Sequence, residues 1–552
     1  MTRSIPILAL FSLLTTLTAC TPSKTPEPEQ PAISTHDQLV RFFFDWRKFA
    51  EPEMKDGVPD YSPEAMAQQH RESEAWQKRL NAVDTTGWPI PDQVDWYLIW
   101  AEMNGLDFMH HVMQPWVRDP AFYVWFHYDP TDVPAREGPN IHGCIELPDY
   151  AQPLSGADAA EIAARLRKAP AVYEQARRNL TGNARDLWTT GIRSIEEQGA
   201  SLLEFAGEQS AAHPDLAAAA HEAQAASESF VLWLKEQAPS KTGPSGIGKD
   251  NYNWCLQKVH LMPHNYAEEE RILQRELDRS HASLRLTEHL NRNLPQLVKI
   301  DNAEDYDREM NKAVTEYMAF LKDAEIMTVK DYMDPAQRAK FGAFRPNDGI
   351  RGFFDEINYR DAMVMRTHNY HWIELARLRE EPYDDPIRQT PLLFNIFDCR
   401  AEGLATAMEE LLMHAGLFEN RPRAKELVWI MLAERCARGL GGLYQHGLEM
   451  DYNQACEFAS KWTPRGYLPA DGGTITHEEQ FYLRQPPYGS SYVTGKLLLD
   501  QLLAEYARQR GDQFTLKEFM DDLNRAGIIP VSLLYWEMTG DKSLVEKAVM
   551  GD

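Results

Sequence analysis

The sequence has few cysteines, and no two of them stand in a C-x-x-C spacing. Apart from Cys20 there are five, an odd number, and they are Cys144, Cys255, Cys399, Cys436 and Cys456. This argues against a disulfide framework and against a zinc site built from thiolates. One or two disulfides can still form in an oxidising compartment, and the sequence does not say which cysteines would pair.

The sequence also lacks the motifs of several common enzyme classes. It contains no glycine-rich phosphate loop and no Gly-x-Ser-x-Gly nucleophile elbow, so nucleotide-dependent and serine-hydrolase activities have no support. Positive charge is in deficit, with 57 Lys and Arg against 83 Asp and Glu and a formal net charge of −26. A chain this acidic repels nucleic acid, so a nucleic-acid partner is not expected.

A long apolar run is missing after the first 20 residues, and the run at the start is too short to span a membrane. Arg3 is followed by an apolar run over 5–17 and then by Leu17-Thr-Ala-Cys20. This order predicts a lipoprotein signal peptide over residues 1–20, with Cys20 lipidated in the manner of a bacterial lipobox. We therefore expect a lipid anchor in the cell envelope.

Residues 21–35 are rich in proline and polar residues and predict an extended tether. Thr21, rather than aspartate, follows the cysteine. By analogy with other lipoproteins this favours the outer membrane, with the body of the protein in the periplasm.

Helical patterns dominate the rest of the chain, and alternating strand patterns are scarce. The sequence predicts a nearly all-α fold with two helical regions, 36–240 and 247–552, on either side of a cleft. The Gly/Pro-rich stretch Ser240-Lys-Thr-Gly-Pro-Ser-Gly246 divides them. Predicted helices include one from the N-cap Ser155 to residue 179, and others over 195–208, 213–237, 266–291, 305–324, 403–414, 424–448 and 491–510.

Four side chains of metal-binding type lie close together in the C-terminal half. His368, His371 and Glu374 follow one another at spacings of three residues, and Glu402 comes 28 residues later. On one helix the first three would share a face. Two imidazoles and a distant carboxylate, with a fourth position open to water, form a ligand set that catalytic zinc sites use. We predict one zinc ion held by His368, His371 and Glu402, the alternative being ordinary polar residues on a helix.

Three further side chains are candidates for catalysis. Glu374 is a candidate for three roles: third metal ligand, general base, or ion-pair partner of a nearby arginine. His446 is a candidate for bonding a tetrahedral intermediate or for orienting a ligand. Tyr492 is a candidate for polarising a carbonyl, or for a structural role. Elsewhere, His110 and His111 adjoin on a predicted helix and point to different faces, which argues against their sharing a metal.

Several segments, in order, carry a resemblance to a known family. They are Trp116-Val-Arg-Asp-Pro-Ala-Phe-Tyr123, Gly246-Ile-Gly-Lys-Asp-Asn-Tyr-Asn-Trp254, Glu402-Gly403, Arg438 with His446, Pro486 with Tyr492 and Gly495, and the block from Phe519 to Leu534. From about residue 90 to 552 the chain resembles the bacterial family called domain of unknown function 885, whose members look like helical zinc metallopeptidases. The resemblance implies a multi-helical peptidase-like fold, a zinc site and a peptide substrate.

The chain departs from the family at presumed active-site positions. The family motif reads His-Glu-x-x-Pro-Gly-His, and here His368-Asn-Tyr-His371 takes its place. The catalytic glutamate is replaced by Asn369, which does not accept a proton from water at neutral pH. Gly442, Phe481 and Met520 stand where the family has Asp, Arg and His.

Two functions follow from this pattern. The first is a membrane-tethered periplasmic hydrolase of the metallopeptidase kind, with zinc on His368, His371 and Glu402 and with Glu374 activating water. The second is a non-catalytic lipoprotein whose cleft binds a peptide or an envelope partner, and the four departures favour it. Whether the chain is an enzyme is left open by the sequence.

Overall fold

The computed structural model describes residues 32–346 and 352–550. The predicted all-α class is confirmed, because 69% of the structure is helical and 2% is strand. The predicted signal peptide, the lipidated Cys20 and most of the tether lie outside the described residues. Within those residues, no helix combines the length and the apolar character that a membrane crossing needs.

Eight α-helices precede the Gly/Pro-rich break at 240–246. They are α1 (His36–Ala50), α2 (Pro63–Asn81), α3 (Ile90–Phe108), α4 (Pro115–Arg118), α5 (Gly156–Leu166), α6 (Ala169–Asn179), α7 (Arg185–Gln209) and α8 (Pro214–Gln237). Two strand pairs lie among them: β1 (Met54–Lys55) with β2 (Val58–Pro59), antiparallel, and β3 (Phe126–His127) with β4 (Ile145–Glu146), parallel.

The helices after the break, in the part of the chain that the structure describes, begin with α9 (Lys249–Trp254), α10 (Tyr266–Leu290), α11 (Ala303–Asp323) and α12 (Met333–Arg338). There follow α13 (Phe353–Asn358), α14 (Ala362–His368), α15 (Tyr370–Glu380), α16 (Pro386–Gln389), α17 (Asp398–His414), α18 (Ala424–His446) and α19 (Tyr452–Trp462). The last are α20 (Gly473–Arg484), α21 (Tyr488–Arg510), α22 (Leu516–Ala526), α23 (Val531–Thr539) and α24 (Ser543–Met550). Two π-helical turns, Met109–Met113 and Cys255–Val259, extend α3 and α9.

Capping residues explain where several helices begin. Ser155 accepts a hydrogen bond from the backbone N–H of Asp158, as the sequence predicts for an N-cap. The helix predicted from 155 to 179 is wrong in one respect, because it is two helices, α5 and α6. Pro170 stands in the first turn of α6 and cannot continue α5, so the chain bends between Leu166 and Ala169.

The predicted helix over 195–208 begins earlier, at Arg185. Gly191, in this added part of the helix, allows a close backbone contact, because a Cβ at that position would lie 2.9 Å from the backbone nitrogen of Ala121. The first turns of α7 therefore pack directly on the 3-10 turn Pro120–Tyr123. Because this contact joins segments that are distant in sequence, the apolar residues of these turns do not show the helical spacing on which the prediction depends.

The apolar core has two main parts. The smaller one lies between residues 61 and 234 and includes α5 to α8. The larger one joins α1 to α3 with helices after the break, through residues such as Leu39, Leu98, Leu273 and Leu498. Helices α1 to α3 thus share a core with the C-terminal region. The predicted division into two helical regions at 240–247 therefore does not coincide with the division between the two cores. The five described cysteines form no disulfide.

Candidate functional site

The site is built where helices α17 and α21 touch backbone to backbone. A Cβ on Gly403 would lie 2.6 Å from the carbonyl carbon of Gly495, and one on Gly495 would overlap the carbonyl oxygen of Cys399. Only glycine allows so close an approach. The contact places Glu402 of α17 beside Tyr488 of α21, whose hydroxyl donates a hydrogen bond to the Glu402 carboxylate.

His371 and Glu402 form a buried pair at this contact. The His371 Nε2 atom lies 3.2 Å from Glu402 Oε2, and both side chains are almost fully buried. Burial alone would lower the pKa of His371, but the Glu402 carboxylate, with help from Asp132 and Glu374, raises it to about 9. Burial opposes the effect of His371 on Glu402, whose pKa is nevertheless lowered. The pair is therefore an imidazolium facing a carboxylate at neutral pH.

His368 does not share a helix with His371, contrary to the prediction. Helix α14 ends at His368 and α15 begins at Tyr370, with Asn369 at ψ 13° between them. The carbonyl of Asn369 accepts a hydrogen bond of 2.7 Å from the side-chain amide of buried Gln337. The helix therefore breaks at Asn369, although the His368 and His371 rings still contact each other edge to face, with 5.3 Å between their centroids.

His368 is instead part of a second buried cluster. Its Nδ1 atom lies 3.0 Å from Nη2 of Arg435 and 3.3 Å from Oε1 of Glu409. Arg435 and Glu409 are joined by two hydrogen bonds of 2.7 and 2.9 Å. Burial, followed by the charge of Arg435, keeps the pKa of His368 well below its ordinary value. His368 is thus a neutral imidazole beside a guanidinium.

Glu374 lies in a third ion pair. Its Oε1 atom is 2.8 Å from Nη2 of Arg400 and 3.6 Å from Nη2 of Arg377. All three side chains are buried. Glu374 does not line the cavity described below, and the structure places it as an ion-pair partner, the most ordinary of its three predicted roles.

His446 and Tyr492 lie apart from each other. The Nε2 atom of His446 is 2.8 Å from the carbonyl oxygen of Tyr482, and its ring contacts Tyr252 rather than the cavity. Burial lowers the pKa of His446 to about 4. Tyr492 does reach the cavity, and the Arg438 guanidinium lies 4.5 Å from the centre of its ring.

A cavity of about 530 Å³ opens between the loop after β3 and the C-terminal helices. Of the predicted site residues, His368, Glu402 and Tyr492 line it. Other large side chains in its wall include Phe354, Trp372, Phe481, Tyr488, Arg136, Arg484 and His477. Its carboxylates are Asp129, Asp132, Glu137, Glu197, Glu402 and Glu478.

Two of these carboxylates, Asp132 and Glu137, have no counterpart among the residues predicted from sequence. Burial and the nearby Glu402 raise the pKa of Asp132, against the opposing effect of His371. Burial, then Asp132, raise the pKa of Glu137 to about 7. Both stand on an irregular loop with no hydrophobic period, so no local pattern marks them. Only the packing of the N-terminal core against the C-terminal helices brings them to Glu402.

The cations near the cavity already have partners. Arg136 lies 2.7 Å from Glu146, and Arg484 lies 2.6 Å from Asp119. Arg438 lies 2.9 Å from Glu478. The ammonium of Lys340 stands 4.1 Å from the centre of the Trp372 ring. Among the described side chains, none with a positive charge stands within 4.0 Å of the carboxylate of Asp132 or of Glu137.

The predicted zinc ligands fit the metal only in part. Two ligands about 2.1 Å from a tetrahedral zinc are roughly 3.3 Å apart, a spacing that His371 and Glu402 match at 3.2 Å. His368 fits less well, because Arg435 and Glu409 contact its Nδ1, which leaves only Nε2 for a metal, and the guanidinium would repel a dication. In residues 32–346 and 352–550, three groups of metal-type ligands come within 4.8 Å of one another, and none contains His368, His371 or Glu402.

The fold and the site define an all-α protein with an open, acidic cavity between the loop after β3 and the C-terminal helices. The family model described as "Bacterial protein of unknown function (DUF885)" matches residues 48–342. The chain belongs to this family, and the resemblance in the sequence is thereby confirmed. The matched part includes Asp132 and Glu137 and ends before His368, so the metallopeptidase-like motif lies outside it.

Two solved structures share the fold. A candidate lipoprotein of unknown function from Shewanella oneidensis is 15% identical, with a TM-score of 0.67, over 92% of this chain and 100% of that one. A candidate lipoprotein from Colwellia psychrerythraea is 15% identical, with a TM-score of 0.64, over 94% and 100%. No curated protein matches the chain.

Proposed function

We propose that this protein is a lipid-anchored envelope protein that binds the amino end of a peptide in its acidic cavity without cleaving it. The observation that carries the proposal is that Asp132 and Glu137, two carboxylates of the cavity, form no ion pair with a described side chain, the His371 imidazolium acting on Asp132 only at longer range. Even partial removal of such charges from water is costly unless a partner supplies the opposite sign. A protonated amino group is such a partner.

The remaining wall suits the same ligand. Phe354, Trp372, Phe481 and Tyr488 line the cavity, and aromatic faces attract ammonium groups by their quadrupole. A volume of about 530 Å³ lies within the range of small-ligand sites. Peptide as the ligand class comes from the family resemblance, and the positive charge comes from the cavity.

Binding without cleavage is supported by what the predicted catalytic groups contact. Glu374 is engaged by Arg400, and Asn369 stands where the family has its general base. His368 is engaged by Arg435. None of these three is placed to take a proton from water, so the hydrolytic chemistry has no base among them.

Calorimetry with two probes tests the ligand chemistry. Trialanine has a free amino end, and N-acetyl-trialanine lacks that charge. We expect trialanine to bind the full chain at pH 7 and the acetylated peptide to bind at least ~10-fold more weakly, since it leaves the carboxylates unpaired. Equal affinity of the two peptides, or no binding of either, would overturn the proposal.

A second candidate function is the zinc-dependent peptidase predicted from the sequence. The spacing of 3.2 Å between His371 and Glu402 favours it, and the engagement of His368 by Arg435 opposes it. Chromatography of trialanine incubated with the protein, once with added zinc and once with a chelator, separates the two functions. Zinc-dependent cleavage that is lost in His371→Ala would establish the peptidase.

Lipid anchoring at Cys20 is the other part of the proposal. The lipobox-like end of the signal peptide supports it, and so do the names of the two structural neighbours. Labelling of expressing cells with radioactive palmitate should mark the wild type and the Cys144→Ser control but not Cys20→Ser. Density-gradient separation of the membranes tests the outer-membrane placement, which we expect Thr21→Asp to shift to the inner membrane.

A further inference from the structure

A cluster of two imidazoles and one carboxylate lies on the N-terminal helices, away from the cavity. His70 comes from α2, Asp107 from α3, and His111 from the π-helical turn that follows α3. The His70 Nε2 atom is 3.3 Å from Asp107 Oδ1, and His111 Nδ1 is 2.9 Å from the same oxygen. One potential ligand atom from each of the three residues lies within 4.8 Å of the others.

These spacings suit a small divalent cation. Zinc bonds imidazole nitrogen and carboxylate oxygen at about 2.0 to 2.2 Å, which puts two tetrahedral ligands roughly 3.3 Å apart. Distances of 3.3 and 2.9 Å within the cluster are close to that value. Two histidines and one carboxylate form a zinc ligand set, with the fourth position left to water.

The π-helical turn explains how His111 joins the cluster. In the sequence His110 and His111 adjoin, and in the structure both rings contact the His70 ring, with centroids 5.1 and 4.2 Å away, but only His111 belongs to the metal-type group. His110 is buried and bonds Gln69, with 3.0 Å between His110 Nε2 and Gln69 Oε1. His111 faces solvent, four residues from Asp107. Single π-turns within helices occur frequently at functional sites.

The charge around Asp107 distinguishes this cluster from the other two metal-type groups of the described chain. In the group of His36, Asp95 and Asp385, the Arg388 Nε atom lies 3.0 Å from Asp95. The second group is His127, Cys144 and Glu146, and there Arg136 already binds the glutamate. Among the described residues, no arginine or lysine pairs with Asp107, so its charge is available to a cation.

We propose that His70, Asp107 and His111 form a binding site for a divalent transition-metal ion, of which zinc is the expected occupant. The ion links α2 to the end of α3, two helices otherwise joined here by side-chain packing and the His–Asp contacts. Imidazole nitrogens favour zinc, copper and nickel over magnesium and calcium. The site is separate from the cavity and independent of the proposed peptide binding.

Calorimetric titration of zinc into the full chain, produced without a histidine tag, tests the proposal. We expect one zinc ion per chain at this site in the wild type. Loss of a residue that hydrogen-bonds a metal ligand typically weakens metal affinity about 10- to 100-fold. His70→Ala and His111→Ala each remove a direct ligand, so each should weaken zinc binding at least ~10-fold. The His111 side chain is 59% exposed, so its removal leaves the core intact.

The matched control is His414→Ala. His414 is also an exposed helix histidine with a carboxylate four residues away, Glu410 at 3.5 Å, but it belongs to no metal-type group among the described residues. We expect this variant to bind zinc as the wild type does. His371→Ala, which alters the cavity, should also keep zinc at the His70 site.

A melting curve gives an independent readout. Because the ion binds only the folded chain, zinc should raise the melting temperature of the wild type and of His414→Ala, and raise it much less in His111→Ala. Two results would overturn the proposal: no zinc bound to the wild type, or zinc binding that His70→Ala and His111→Ala leave unchanged. If His371→Ala alone removed the ion, the metal would belong to the cavity.

Discussion

His371 and Glu402 face each other in the core as an imidazolium and a carboxylate, with 3.2 Å between Nε2 and Oε2. Three residues earlier, His368 is turned to Arg435 and Glu409. The two histidines that the sequence suggests as joint ligands thus pair with different charged groups, although their rings stay in contact with 5.3 Å between centroids. The neighbouring cavity is left with carboxylates in excess.

The pair makes stability depend on pH. The pKa of His371 is raised to about 9 in the folded protein, so the stabilisation is complete below the unfolded value of 6.5 and is lost as pH rises through 9. A shift of this size corresponds to about 3 kcal/mol. Urea unfolding at pH 6.5 and pH 9 should show this loss in the wild type and a much smaller one in Glu402→Gln.

The control for this prediction is Glu457→Gln, which removes an exposed carboxylate of α19. We expect it to keep the pH dependence of the wild type. The same pH dependence in Glu402→Gln would contradict the assignment of His371 as the cation of the pair.

Arg435 should be among the most costly charged residues to remove. Arg435→Met leaves Glu409 buried without its two hydrogen bonds, and breaking a buried pair on one side costs about 3 to 5 kcal/mol. Arg275→Met is the comparison, because Arg275 is 74% exposed and its pairing with Glu276 should contribute less than ~1 kcal/mol. Urea denaturation measures both, and similar losses in the two variants would refute the prediction.

The contact between α17 and α21 should not tolerate a methyl group. Gly495→Ala forces the new Cβ against the carbonyl of Cys399, and overpacking of this kind costs roughly 1 to 3 kcal/mol or more. Gly207→Ala, at an exposed position of α7 with nothing near its Cβ, should instead stabilise the protein by about 0.5 to 1 kcal/mol. Thermal unfolding of the two variants compares them, and a neutral Gly495→Ala would mean that the helices are farther apart.

Asp132 should limit the stability of the unliganded protein. Burial and the charge of Glu402 raise its pKa, so the folded state disfavours the ionised form of this residue. Asp132→Asn should therefore stabilise the fold, by about 1 kcal/mol if the gain has the usual size for such changes. Asp129→Asn, at an exposed position of the same loop, should have no effect. Destabilisation by Asp132→Asn would show that the carboxylate has a structural partner.

The helical class and most helix positions follow from local sequence, because an apolar period of 3.6 residues is itself local. The helices predicted over 266–291 and 424–448 differ from α10 and α18 by at most two residues at either end. Where prediction failed, a distant contact decides the backbone. Gln337, 32 residues before Asn369, interrupts the helix that would have aligned His368 with His371.

The candidate site is less predictable for the same reason. Glu402 stands out through its position after the histidines, and the structure does place it beside His371. Asp132 and Glu137 lie on an irregular loop and reach the cavity only because the N-terminal core packs against the C-terminal helices. Partners such as Arg435 for His368 are set by helix packing, and no spacing along the chain encodes that pairing.

The measurement that tests the central claim most directly is a calorimetric titration of trialanine into the wild type, Asp132→Asn and the Glu457→Gln control, in zinc-free buffer at pH 7. If the unpaired carboxylates of the cavity bind the amino end of the peptide, Asp132→Asn should lose at least ~10-fold in affinity, as expected for a charged hydrogen-bond partner, while the control matches the wild type. Equal affinity in all three proteins would contradict the account.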